Sequence, residues 1–311
     1  MIVALGDLML DIVMRLSEPL SPRRGGMEYL QGGHALAQAH LSPGGSAANF
    51  AVWASRLGAE VGLIARVGND LLGRALLQDL EQEGITRGLL VGEETTGFTV
   101  ALDQGGTSTM LAARGAASAL RVDDLDWSLL EQADVLHITA YSFFDDSPRQ
   151  ATLAAMRFVQ ERGKLVSLDP AAYGFLKNAG PEGFLALAKG VDMLFPNLDE
   201  GRALTGEEEP ERVLHVLRQH FPVVALKLGE HGAIAGAGEA VVHHPGFSVP
   251  VVDTMGAGDA FAAGFVVHWL AHRDLAQAVE QGNRVAAGVV QVAGARNAQG
   301  GHIFTAVPPV P

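Results

Sequence analysis

With 311 residues, 48% of them hydrophobic, the chain can bury the core of one large α/β domain with an accessory piece. Its 35 acidic and 22 basic side chains leave a formal charge of −13, which argues against general binding to nucleic acid or an anionic membrane. The absence of cysteine excludes disulfide frameworks, thiolate nucleophiles and Cys-based zinc sites.

The chain opens on MIVALGDLMLDIV, apolar but without a basic leader and carrying Asp7 and Asp11, so it reads as a first strand over 2–5 and not as a signal peptide. The two carboxylates after that strand suit vicinal hydroxyls, and Asp11 suits a solvated position equally well. Residues 12–42 are polar, Gly-rich and poor in helical features. They lead to Gly44-Gly45-Ser46-Ala47-Ala48-Asn49, where glycine admits a ligand close to the backbone and the Asn49 amide offers donor and acceptor to a polyol. Ser46 is also a ready helix cap.

Short β-branched runs then alternate with segments of helical period, the pattern of a parallel sheet covered by helices. Strands are expected at 61–67, 133–140, 164–168, 191–195 and 223–228, and helices at 47–57, 71–83, 148–162, 198–205 and 211–220. Two excursions break the alternation. One is 12–42; the other, 95–113, holds two alternating runs joined at Gly105-Gly106, a hairpin signal foreign to a buried parallel strand. Together they predict a small β flap. Arg114, just after the hairpin, is the obvious cation near it, suited to an acidic or phosphorylated substrate and to plain solvation alike.

Farther on, Phe195-Pro196-Asn197-Leu198-Asp199-Glu200 closes a predicted strand. Its oxygens suit Mg²⁺ held through water, while a purely structural reading makes Asn197 and Glu200 a capping box. Lys227-Leu228-Gly229-Glu230-His231-Gly232 is a strand ending in a Gly-flanked turn, fit for a nucleotide or for an ordinary turn. No histidine stands in a metal-binding spacing such as H-E-x-x-H.

The most specific stretch is VVDTMGAGDAFAAGF, 251–265. After an expected strand at 249–252, the small residues Gly256, Ala257 and Gly258 let main-chain amides converge at the start of a helix, where unpaired N–H groups and the helix dipole attract an anion. Asp259, in the first turn, then stands beside a transferred phosphoryl group and the hydroxyl that attacks it, as a base; the alternative is an Asp that only complements the dipole. The dinucleotide fingerprint fails, since Phe261 occupies the place of its third glycine, and no G-x-x-x-x-G-K-[ST] occurs. Two helices are expected from Gly256 onward, broken near Arg273 and Asp274.

The order of these motifs resembles the ribokinase-like (PfkB) carbohydrate kinases over nearly the whole chain: Gly6-Asp7, 44–49, 68–73, 197–200, 227–232 and 253–265, the Asp-Thr-x-Gly-Ala-Gly-Asp segment being the specific one. The resemblance implies an α/β fold, a three-layer αβα sandwich around a central, mainly parallel sheet, with a small β lid. The implied organisation is one domain over 1–311, its lid formed from about 12–42 and 95–115. The implied activity is ATP-dependent phosphorylation of a primary hydroxyl on a small sugar or sugar acid, with Mg²⁺ and, in many relatives, a monovalent cation such as K⁺.

By the same resemblance, Asp259 is the base and the amides of Gly256, Ala257 and Gly258 the anion hole. Asp11, Gly45 and Asn49 match sugar-contacting positions. Asn197 and Glu200 match the element that supports Mg²⁺ and nucleotide phosphate; Lys227, Gly229, Gly232 and Asn283 match the nucleotide side, and Asp253 the monovalent-cation position. Where fructose and 2-keto-3-deoxygluconate kinases often show Asp-x-Asn-x-Arg, this chain has Asp169-Pro170-Ala171-Ala172-Tyr173, which weakens both assignments and leaves the sugar illegible. A nucleoside kinase of the same fold and a non-catalytic sensor are the rival readings; a pure binder has no need of Asp259. The expected setting is cytoplasmic, with a sugar and ATP as partners and neither nucleic acid nor membrane, and a homodimer through the lid would cover its strand edges.

Overall fold

Alternation in the first strand sets the architecture. In β1 (Ile2–Leu5), Ile2 and Ala4 face one apolar layer, Val3 and Leu5 face another, and all four are buried. A strand buried on both faces belongs inside a sheet covered by helices on each side. The computed structural model describes residues 1–16, 36–104, 107–171 and 173–296.

In chain order β1 is followed by β2 (Met9–Leu16), β3 (Ala37–Gly44), α1 (Ser46–Arg56), β4 (Val61–Gly68), α2 (Leu71–Gln82), β5 (Leu89–Gly92), β6 (Phe98–Gln104) and β7 (Thr107–Ala113). Then come α3 (Trp127–Gln132), β8 (Val135–Thr139), α4 (Asp146–Gln160), β9 (Leu165–Asp169), α5 (Tyr173–Leu187), β10 (Met193–Leu194), α6 (Leu198–Thr205) and α7 (Pro210–Leu217). The last elements are β11 (Val223–Lys227), β12 (Ala233–Ala237), β13 (Ala240–His244), α8 (Ala257–His272) and α9 (Leu275–Val289).

The main sheet has the order β13-β12-β11-β10-β9-β8-β1-β4-β5, parallel from β11 to β5, with β12 and β13 added antiparallel. One apolar layer packs α1, α8 and α9 on this sheet; the other packs α3, α4 and α7 on the opposite face. The chain runs from β1 to β4 on one side and later to β8 on the other, so strand direction of travel reverses at β1. Such a reversal opens a crevice at the carboxyl ends of the strands.

The two excursions form a second sheet of order β3-β2-β6-β7. The hairpin is β6 against β7, with Gln104 opposite Thr107 as its closing pair. The flap begins earlier than residue 12, because β2 starts at Met9 and carries Asp11 with it. Residues 17–35 of the first excursion lie outside the described residues, as do the turn residues 105 and 106.

One expected strand does not form. Residues 249–252 run as an irregular stretch with Val251 and Val252 exposed, and the Val252 amide donates to Val290 O at the end of α9 rather than to a strand. Its valines signal β-propensity, but among the described residues the stretch joins neither sheet.

Candidate active site

The parallel strands deliver their chemistry at one end. Asp7 follows β1, Tyr141 follows β8, Asp169 ends β9, Asn197 lies just beyond β10 and Lys227 ends β11. All five line one cavity of about 510 Å³, whose other wall is the small sheet, through Met9, Asp11, Thr99 and Met110.

Two helices aim their first turns into this cavity. α1 starts after Gly45, which holds φ 92°; a Cβ there would lie 2.4 Å from the Asp7 carbonyl, so only glycine permits the approach. α8 starts after Gly256 at φ 75°, where a Cβ would stand 2.5 Å from that of Ala295. Among the described residues the amides of Gly256 and Gly258 have no protein partner, whereas the Ala257 N–H already donates to Thr254 O at 3.3 Å. An anion bound here would therefore meet free amides at Gly256 and Gly258 rather than at Ala257.

Asp259 lies between the two helix starts. Its Oδ1 accepts from Ser46 Oγ at 2.5 Å and its Oδ2 from Asn49 Nδ2 at 2.9 Å. Burial pushes its pKa up to about 7 against the pull of the Ser46 bond, and the nearby Asp169 carboxylate pushes the same way. A carboxylate poised near neutrality suits a general base. Ser46, a plausible helix cap from sequence, is instead a partner of this group.

Lys227 forms the other pole. Its Nζ donates to Asp169 Oδ2 at 2.6 Å, and a Cβ placed on Gly258 would stand 3.0 Å from the same Nζ. The ammonium thus abuts the start of α8. Burial disfavours its charge, but Asp169 and Glu200 outweigh that and raise its pKa. Glu200 closes a capping box with Asn197, accepting the Asn197 N–H at 2.8 Å while Asn197 Oδ1 accepts the Glu200 N–H at 2.9 Å. The capping box forms, and Asn197 and Glu200 also line the cavity. Burial lifts the Glu200 pKa to about 7, against the pull of Lys227.

Asp11 and Arg114 line the cavity as well. Asp11 is buried, and its pKa is raised to about 6 by desolvation in spite of Arg296. Arg114 pairs with Asp145 at 2.5 Å and lies over the Phe144 ring, so it is not a freely solvated arginine.

Asp253, Asn283, Gly229 and Gly232, all expected at the site, do not line this cavity. The Asp253 carboxylate holds the loops around it, accepting from Met255 N at 3.0 Å and Gly294 N at 2.9 Å. Asn283, on α9, donates to His244 on β13, a packing role between helix and edge strand. Gly229 and Gly232 flank the turn after β11, where Leu228 N–H donates to Gly232 O, and Gly232 packs on the backbone at 244–246. Arg296 was not foreseen. It is buried, bonded to Asn49, Asp79 and the Gly44 carbonyl, and no local motif announces it.

Residues 1–299 match the family described as pfkB family carbohydrate kinase. The chain is 35% identical over 261 residues to an ATP-dependent ribose-1-phosphate kinase of Halopiger xanaduensis, covering 83% of each chain. It is 32% identical to a 2-dehydro-3-deoxygluconokinase of Bacillus subtilis, over 80% of this chain and 81% of that one. Among solved structures it superposes on an adenosine kinase from Sinorhizobium meliloti with a TM-score of 0.83 at 25% identity, over 98% of this chain and 97% of the other. The chain belongs to the pfkB family of carbohydrate kinases.

Proposed function

We propose that this protein transfers the γ-phosphoryl group of ATP to a primary hydroxyl of a small sugar or sugar acid. The observation that carries the reading is Asp259, set between the first turns of α1 and α8, with the amides of Gly256 and Gly258 on one side and a cavity lined by Asp7, Asp11 and Asn49 on the other. The acceptor hydroxyl gives its proton to Asp259 and attacks phosphorus as the bond to the leaving phosphate breaks. The transition state is loose, so positioning and electrostatics supply most of the acceleration. The amides of Gly256 and Gly258 and the Lys227 ammonium face the charge that spreads over the transferring group.

Mg²⁺ fits the donor set. Glu200 keeps Oε1 free of protein hydrogen bonds among the described residues, and Asp169 supplies a second buried carboxylate, as expected for an ion that is held by one or two carboxylates and by substrate phosphates. When bound, it would neutralise phosphate charge. The cavity's carboxylates Asp7 and Asp11 favour a polyol, and Arg114 favours an acceptor bearing a carboxylate or a phosphate, in line with the sugar phosphate and sugar acid named for two relatives.

An ADP-release assay with ATP and Mg²⁺ over sugars, sugar acids, sugar phosphates and nucleosides tests this. Turnover confined to nucleosides would replace the acceptor class, and silence across the panel would leave a binding protein.

A further inference from the structure

Asn49 presents its amide to two charged partners at once. Its Oδ1 accepts from Arg296 Nε at 2.8 Å, and its Nδ2 donates to Asp259 Oδ2 at 2.9 Å. Guanidinium nitrogens only donate and a carboxylate oxygen only accepts, so the amide has one satisfactory orientation. Rotated by half a turn, it would face donor to donor and acceptor to acceptor, with both mismatches buried.

Arg296 is itself over-determined. It is 5% exposed, its Nη1 donates to Asp79 Oδ2 on α2 at 2.8 Å, and its Nη2 donates to the Gly44 carbonyl at the end of β3 at 2.7 Å. The residue before it accepts the Trp53 indole N–H through Ala295 O at 3.1 Å. Every arm of the guanidinium is therefore engaged, and the segment that carries it is fastened to α1.

We infer that Arg296 is a positioning residue for phosphoryl transfer: it sets the amide orientation of Asn49, and Asn49 in turn aims the Asp259 carboxylate. Arg296 reaches Asn49 across 247 residues of sequence, and the role needs no contact between Arg296 and substrate. It rests on the reading of Asp259 as the base, but the orientation of Asn49 is measurable without turnover. Loss of the arginine removes the only donor facing Asn49 Oδ1 among the described residues, so the amide is free to turn and the carboxylate loses its second support.

The test has two arms on the full chain. In ¹⁵N–¹H spectra, the Asn49 side-chain amide pair is identified by its disappearance in Asn49→Ala. In Arg296→Met, and in Arg296→Gln should the methionine variant not fold, that pair shifts and exchanges with solvent about ten-fold faster or more; in Arg296→Lys, again a pure donor, it stays near its original place. In steady-state assays, kcat/KM for the acceptor falls by about ten- to a hundred-fold in Arg296→Met, the range for losing a buried bond to a charged group, while KM for ATP stays within about two-fold. Asn49→Ala combined with Arg296→Met is no worse than Asn49→Ala alone. An Asn49 amide pair unmoved in whichever variant folds overturns the proposal, and so does full additivity of the two substitutions. A responsive amide pair in a protein that phosphorylates no acceptor would strike the kinase reading and with it the role in phosphoryl transfer, leaving only the orientation of Asn49 by Arg296.

Discussion

Lys227 and Asp169 form a buried pair on the cavity wall beside the start of α8, Nζ to Oδ2 at 2.6 Å, with side chains only 15% and 2% exposed. Two buried charges persist together because each offsets the other's desolvation, and removing one strands its partner. Here the charge of Glu200 also favours the ammonium, which stands beside Gly258. Lys227→Met removes a cation from the anion site and leaves two carboxylates facing incoming phosphates. The expected result is a fall in kcat/KM for ATP of at least about 10²-fold, as for loss of a donor at a developing charge. Asp169→Asn keeps the amine but loosens it, so its loss is smaller. A Lys227→Met enzyme within a few-fold of the parent in steady-state assays would remove the lysine from the mechanism.

Asp259→Asn tests the base directly. The fold should persist, since asparagine can still take part in hydrogen bonds with Ser46 and Asn49, while turnover drops by about 10²- to 10⁴-fold, the usual worth of general-base assistance. Nucleotide affinity, read by calorimetry, should be nearly unchanged.

The pH dependence follows from the same group. With its pKa raised by burial to about 7, Asp259 becomes a base only as pH rises through neutrality, so kcat/KM should climb with pH on a limb centred near 7. Glu200, also lifted to about 7, titrates on the same limb, so the limb belongs to the pair and not to one residue. For stability the sign is opposite. A carboxyl whose folded pKa exceeds its unfolded value of 3.8 contributes its full stabilisation below that value and loses it as pH rises through about 7. Thermal unfolding of Asp259→Asn against the parent should therefore show the variant more stable at pH 8, by about 2 °C or more, with the gap shrinking towards pH 4.

Much of this site was legible because it is carried by local spacing. The Gly256-Ala257-Gly258-Asp259 turn and the Asn197 to Glu200 box each complete their geometry within a few residues, and α8 and α9 part at Arg273 and Asp274 where expected. What was missed depends on distance along the chain. The Ser46 and Asp259 pair spans 213 residues, and Asp169 meets Lys227 across 58, so neither bond has a sequence signature. β12 and β13 escaped because AIAGA and AVVHH are short and lack an apolar run of parallel-strand type. α5 hid behind Gly180 and Pro181, where its backbone leaves helical geometry.

Arg114, on the cavity wall and paired with Asp145, is the cation through which the proposed acceptor's charge would be read. The pair is joined at 2.5 Å, with Asp145 half exposed and Arg114 on the cavity wall. An acceptor carboxylate or phosphate would compete with Asp145 for the guanidinium. Arg114→Ala should raise KM for an anionic sugar by about ten-fold or more and leave a neutral sugar little affected, while Asp145→Asn should lower KM for the anionic one. Equal effects on charged and neutral acceptors would show that Arg114 only packs.

The backbone at Ala171 is the place where a departure from the Asp-x-Asn-x-Arg pattern of fructose and 2-keto-3-deoxygluconate kinases has a physical cost. Ala171 sits at φ 37°, a left-handed conformation that a Cβ disfavours, while its amide donates to Asp169 Oδ1 at 3.0 Å. Asparagine tolerates that region better than alanine, and glycine does so freely. Because the amide bond braces Asp169, and Asp169 braces Lys227, strain here is applied to that buried pair. Ala171→Gly and Ala171→Asn should each stabilise the protein by about 1 kcal/mol in denaturant unfolding, with kcat/KM for ATP preserved. A loss of stability in both variants would mean that this turn is held in another conformation in solution.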